Sequence, residues 1–125
     1  MIKMKNILLI IGLVFGMQIA IAQEKSAYQE GEWFKFEMSY SNFLKAGNAT
    51  LEVKESKING KPVYHVVGKG WTTGAIKWFF KVKDRYESYI DKETGMPYKF
   101  VRKINEGGHT KDIEIAFDHK KQEAF

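Results

Sequence analysis

The side chains able to do chemistry begin with three histidines. His109 and Asp112 lie close together, and Asp118-His119 falls in the next turn signal, so nitrogen and oxygen donors for a metal are at hand. No two of them have the H-x-x-x-H type of spacing that presents paired ligands, and an Asp-His in a turn is ordinarily solvated; no metal site is expected. His65, alone on an alternating run, reads as a half-exposed strand residue. Zero cysteines remove thiol nucleophiles, disulfides and iron–sulfur ligation. Gly68-Lys69-Gly70 with Gly74 has the glycines and lysine of a phosphate loop, but Trp71 stands where that pattern needs Lys-Ser/Thr opening a helix. Glycines on a curving strand account for it better. Asp84 and Glu87 flank Arg85 and could be drawn as an acid–base pair, yet on one strand they point to opposite faces. Asn48-Ala49-Thr50 fits a glycosylation acceptor, which carries meaning only on a secreted eukaryotic chain. Nothing assembles a nucleophile, a base and an orienting group, so neither an enzyme nor a cofactor is expected.

The feature left over is aromatic. Trp71, Trp78, Phe79, Phe80 and Tyr86 fall within 16 residues. Core filling is the ordinary use of such side chains, because they supply most of a small core's buried area. The alternative is an apolar mouth, since curled sheets bind greasy ligands where a helix or loop lids the opening. These five are the candidate ligand-binding residues.

The elements that must position them are strands. Phe34, Phe36, Met38 and Tyr40 alternate with Lys35, Glu37 and Ser39, the pattern of a half-buried strand. The same period recurs at Ala49-Leu51-Val53, Tyr86-Ser88-Ile90, Tyr98-Phe100-Arg102-Ile104 and Ile113-Ile115-Phe117, and more weakly over Pro62 to Trp71. Strands are predicted over 32–41, 46–57, 62–71, 83–91, 97–105 and 109–118. Lys57 to Gly60, Asp91 to Gly95, Asn105 to Gly108 and Asp118 to Lys121 are hairpin-length turn signals that force antiparallel neighbours. Gly74 to Lys81 breaks the beat with Ala75, Ile76, Phe79 and Phe80 at helical spacing, so one short helix near 75–80 is predicted, with Thr72 and Thr73 available as caps. Gln122 to Phe125 looks like the opening of a seventh strand. The fold class is therefore all-β: an antiparallel meander curling into an incomplete barrel.

At 125 residues, 44% hydrophobic and 28% charged, the chain is one domain at most and too polar for a polytopic membrane protein. Lys3 and Lys5, the apolar run Ile7 to Met17 and the Ala20-Ile21-Ala22 site read as a signal peptide over 1–22, too short for a bilayer span. Its removal takes two of 20 cations and no acid, lowering the net charge from +5 to +3. That mild excess on an exported chain argues against nucleic acid as a partner. Residues 23–30 are read as a linker and 31–125 as the N-terminal part of a single β-barrel-like domain.

Gly31-Glu32-Trp33-Phe34-Lys35-Phe36-Glu37-Met38-Ser39-Tyr40, then Leu44-Lys45-Ala46-Gly47-Asn48-Ala49-Thr50-Leu51, then Phe80 to Asp91, resembles the exported bacterial proteins grouped as domain-of-unknown-function family 3108. The similarity runs from Tyr28 to Phe125 and includes Gly95 to Phe100 and Glu106-Gly107-Gly108. A signal peptide ending before Gln23 suits a Bacteroidota-type member. The resemblance implies an all-β, barrel-like envelope protein longer than this chain, and no established reaction. The functional expectation is a non-enzymatic protein of the periplasm or cell envelope of a Gram-negative bacterium. It would bind a lipid-like or other apolar ligand in a curled sheet, or else serve as a structural or interaction module pairing with another envelope protein.

Overall fold

The computed structural model describes residues 26–42 and 44–125. The segment read as a signal peptide lies outside the described residues. Seven strands follow in order, β1 (Trp33–Ser41), β2 (Leu44–Ile58), β3 (Lys61–Thr72), β4 (Lys83–Asp91), β5 (Pro97–Glu106), β6 (His109–Asp118) and β7 (Glu123–Ala124), with a helix α1 (Ile76–Phe79) between β3 and β4. All neighbours are antiparallel and the sheet order is the chain order. That is the meander the turn signals demand: Asn59 and Gly60 take φ of 50° and 78° between β2 and β3, the left-handed values a two-residue hairpin needs. The seventh strand closes onto β6 through Phe125, whose N–H and carbonyl exchange hydrogen bonds with Ala116 at 3.0 and 2.7 Å.

The sheet is open rather than closed into a barrel. β1 and β7 are its two edges. Register sorts the side chains cleanly. One face carries Phe34 opposite Leu51 and Phe36 opposite Ala49, then the row Val53, Val66, Ser88, Phe100, Ile115. The other face carries the row Glu52, Val67, Glu87, Val101, Glu114. The most deeply buried valines are on this second, polar face: Val63 and Val67 are 0% and 2% exposed. Long side chains around them, His65 between them on β3 and Arg85 and Tyr89 on β4, wall them in with apolar stems and rings.

On the apolar face the expectation for β1 needs correcting. Its alternation predicts a half-buried strand, whereas all nine residues are exposed, Phe36 at 53%. The strand is an edge, and no described element packs on its apolar side. Val53 and Ile104 are the buried residues of that face, inside the interior strands.

Helix α1 is a single turn, and its cap differs from the expectation. Ala75 is the N-cap, with no side-chain hydrogen bond. The threonines instead fasten the loop: Thr72 Oγ1 accepts the Val82 N–H at 2.9 Å, and the Thr73 N–H donates to the Ala46 carbonyl at 3.0 Å. The Gly107 N–H reaches the Lys81 carbonyl at 2.8 Å, tying the same loop to the β5–β6 turn. Among the described residues no helix is long and apolar enough to cross a membrane.

Candidate functional site

The sheet has two ends. The β2–β3, β4–β5 and β6–β7 turns lie at one, and the α1 loop and the β5–β6 turn at the other. All five aromatic candidates except Tyr86 sit at the α1 end, but the structure does not gather them into one cluster. Trp71, next to last in β3, is half-buried on the polar face with Lys83 as its cross-strand partner. Tyr86 is on the apolar face opposite Gly68, its ring 6.5 Å from that of Phe100 and 5.9 Å from the Arg102 guanidinium. Phe80 lies on the β5–β6 turn, so close that a Cβ on Gly107 would sit 2.5 Å from its Cε2. Trp78 and Phe79 are 89% and 88% exposed and fill no core.

Two concavities flank α1. The smaller, about 270 Å³, is on the apolar face between α1 and the β1 edge, where Ile76 faces Met38 and Gly47. No side chain fits at Gly47, whose Cβ would lie 2.7 Å from the Trp71 carbonyl oxygen. The larger, about 980 Å³, is a groove whose lining side chains are mostly on the polar face. Lys69, Arg85 and Lys103 stand side by side across β3, β4 and β5, a row of like charges in direct register. Lys77 and Lys81 reach the same groove from the α1 loop, and Lys83 from the next row beside Trp71. Six cations thus meet two lining carboxylates, Asp84 and Asp112. None of the five lysines forms an ion pair among the described residues.

The centre of the polar face is different. Glu87 accepts from Arg85 Nε at 2.6 Å through Oε1, and from His65 Nε2 at 2.5 Å and the Tyr89 hydroxyl at 3.3 Å through Oε2. The Arg85 hydrogen bond, with help from His65 and against the cost of burial, pulls the Glu87 carboxyl down to about 2. An ionised carboxylate only accepts, so the His65 Nε2 carries the proton in this contact. Burial, and Glu87 next to it, push the Tyr89 hydroxyl up. The His65 and Tyr89 rings stack at 4.2 Å. So acidic a carboxyl is a poor base, and the group works as a clasp over the valines.

Sequence reasoning placed Asp84 and Glu87 on opposite faces, and the register does so; Asp84 Oδ1 accepts the Asn105 N–H at 3.1 Å. It missed the clasp, whose signal is a hairpin register that sets His65 opposite Tyr89 and one row from Glu87. His109 opens β6 and His119 follows its other end, where its Nε2 donates to the Pro97 carbonyl at 2.6 Å; the described residues contain no group of three His, Cys, Asp or Glu side chains able to hold a metal.

A family model described as a protein of unknown function, DUF3108, matches residues 35–125. The chain belongs to the DUF3108 family. The match begins inside β1 and runs past β7, so the DUF3108 domain takes in nearly the whole open sheet, α1 and both concavities. No curated protein and no solved structure matches the chain. What the DUF3108 domain does therefore has to come from its own two faces.

Proposed function

We propose that this DUF3108 protein is an exported, non-enzymatic component of the bacterial cell envelope that holds an apolar or amphiphilic ligand on the apolar face of its sheet, with α1 at the mouth. The observation that carries the reading is that face itself. Phe34, Phe36 and Met38 are 48%, 53% and 48% exposed in one line, continuous through register with Leu51, Val53 and Val66. Contiguous apolar surface of this kind marks an interaction site. Arg102 favours an amphiphile over a wholly apolar molecule: it stands on the same face against Tyr86, and its buried Nε has no hydrogen-bond partner among the described residues. A head group with an acidic oxygen would answer it. The signal-peptide character of residues 1–22 supports export.

A second reading has its own observation. β1 is a nine-residue strand at the edge of the sheet, with β2 as its neighbour on one side, so another envelope protein could add a strand there. Titration of the full chain with a fluorescent apolar probe separates the two. Ligand binding predicts saturable enhancement that weakens severalfold in Trp78→Ala with Tm unchanged; an edge-pairing module gives no saturable signal.

A further inference from the structure

The larger groove is on the other face from the apolar surface, and its chemistry is different. Its cations are in the wrong place for stability. Lys69, Arg85 and Lys103 are direct cross-strand neighbours, and like charges in that position repel. Only Arg85 has an answering carboxylate, Glu87, one row away. Of the two acids in the groove, Asp84 is occupied with the Asn105 N–H, and Asp112, opposite Lys103, makes no ion pair with it among the described residues. Elsewhere on the sheet Lys45 pairs with Glu37, Lys54 with Glu52, Lys92 with Glu55 and Lys99 with Glu114, while Lys35, Lys57, Lys61 and Lys111 stand singly with no ion pair among the described residues. What sets the groove apart is that five such lysines and Arg85 line one concavity of about 980 Å³, a size suited to a small molecule rather than a protein surface.

We propose that this groove binds a small multivalent anion, a phosphate-bearing molecule whose acidic groups lie along Lys69, Arg85 and Lys103 and whose body packs on Trp71. One negative charge would satisfy one lysine and leave the rest repelling, so the cation count calls for a ligand with two or more. Lysines act as point charges and set no fork geometry, which suits phosphates approached from several sides. Trp71, half-buried in the wall beside Lys83, supplies a flat apolar surface and an indole N–H. Asn105 and Thr110, opposite each other at the β5–β6 end of the groove, add neutral hydrogen-bonding groups.

The probe is inorganic pyrophosphate, titrated into the full chain at low salt by calorimetry. Saturable binding that weakens steeply with added salt is expected, since exposed charges are screened within about 10 Å at 0.1 M. Lys69→Gln with Lys103→Gln is expected to lower affinity at least about tenfold while Tm stays level or rises, because repulsion is relieved. Lys57→Gln with Lys120→Gln removes the same charge at the far end and should leave affinity within about twofold. In a Trp33→Phe, Trp78→Phe background, Trp71 emission should change on binding. Vesicles of phosphatidylglycerol form the second arm. Absence of saturable pyrophosphate binding, equal loss in both lysine pairs, or binding to vesicles alone would overturn the proposal. The apolar-probe titration of the other face is unaffected by any of these outcomes, so the two readings fail separately.

Discussion

The two ends of the sheet are built on opposite terms. At the β4–β5 end, polar groups are answered at short range. Asp91, 8% exposed, accepts the Glu93 and Thr94 N–H groups at 2.9 and 2.8 Å through Oδ1 and the Tyr98 hydroxyl at 2.7 Å through Oδ2. Lys92 pairs with Glu55 at 2.5 Å and sits over the Tyr64 ring. Asp118 repeats the device in the last turn, accepting the Lys120 and Lys121 N–H groups. At the α1 end, five lysines have no ion pair among the described residues and two aromatic side chains stand almost wholly in solvent. The difference teaches where stability and recognition are separated in a one-layer sheet: one end is closed by its own hydrogen bonds, and the other keeps unspent charge and apolar surface.

The comparison can be broken by substitution. Asp91→Ala should give the largest Tm loss of the set, because it removes the buried carboxylate that accepts from two backbone N–H groups and a phenol. Acid comes next. The Asp91 carboxyl is held at about 2 by the Thr94 N–H and the Tyr98 hydroxyl, and that of Glu87 at about 2 by Arg85 and His65. Both folded values lie below the ordinary carboxylate range, so their stabilisation is complete above about pH 4.5 and drains away as pH falls toward 2. Glu87→Gln should flatten that acid limb in a denaturant series run from pH 6 to 2.

Smaller effects belong to the α1 end. Gly107→Ala places a Cβ against the Phe80 ring at a φ of 59° and should cost about 1–2 kcal/mol in denaturant unfolding. Part of that loss should return in a Phe80→Ala background, which isolates the ring contact. Trp78→Ala should stay within about 0.5 kcal/mol, as an exposed side chain does. A Trp78→Ala protein that unfolds as easily as Asp91→Ala would erase the distinction between the ends.

How much of this was legible in the sequence follows from range. Strand positions and turns were readable because their causes are local: period-two alternation at Phe34 to Met38, and Asn59-Gly60 taking left-handed φ. The helix was placed correctly but its caps were not, because Thr72 Oγ1 is claimed by Val82, ten residues on. The clasp and the lysine row were out of reach for the same reason. His65 and Glu87 are 22 residues apart, and Lys69, Arg85 and Lys103 become one row only once three strands are in register. Exposure was misjudged where alternation alone was the guide. β1 has the pattern of a buried face, and nothing in the described chain covers it.

Native mass spectrometry of the protein purified from its own host in gentle detergent-free buffer tests the central reading most directly. The account predicts a discrete added mass of an amphiphilic small molecule on the folded monomer, reduced in Trp78→Ala. A spectrum of bare protein, or a stoichiometric protein partner in place of a small molecule, would contradict it.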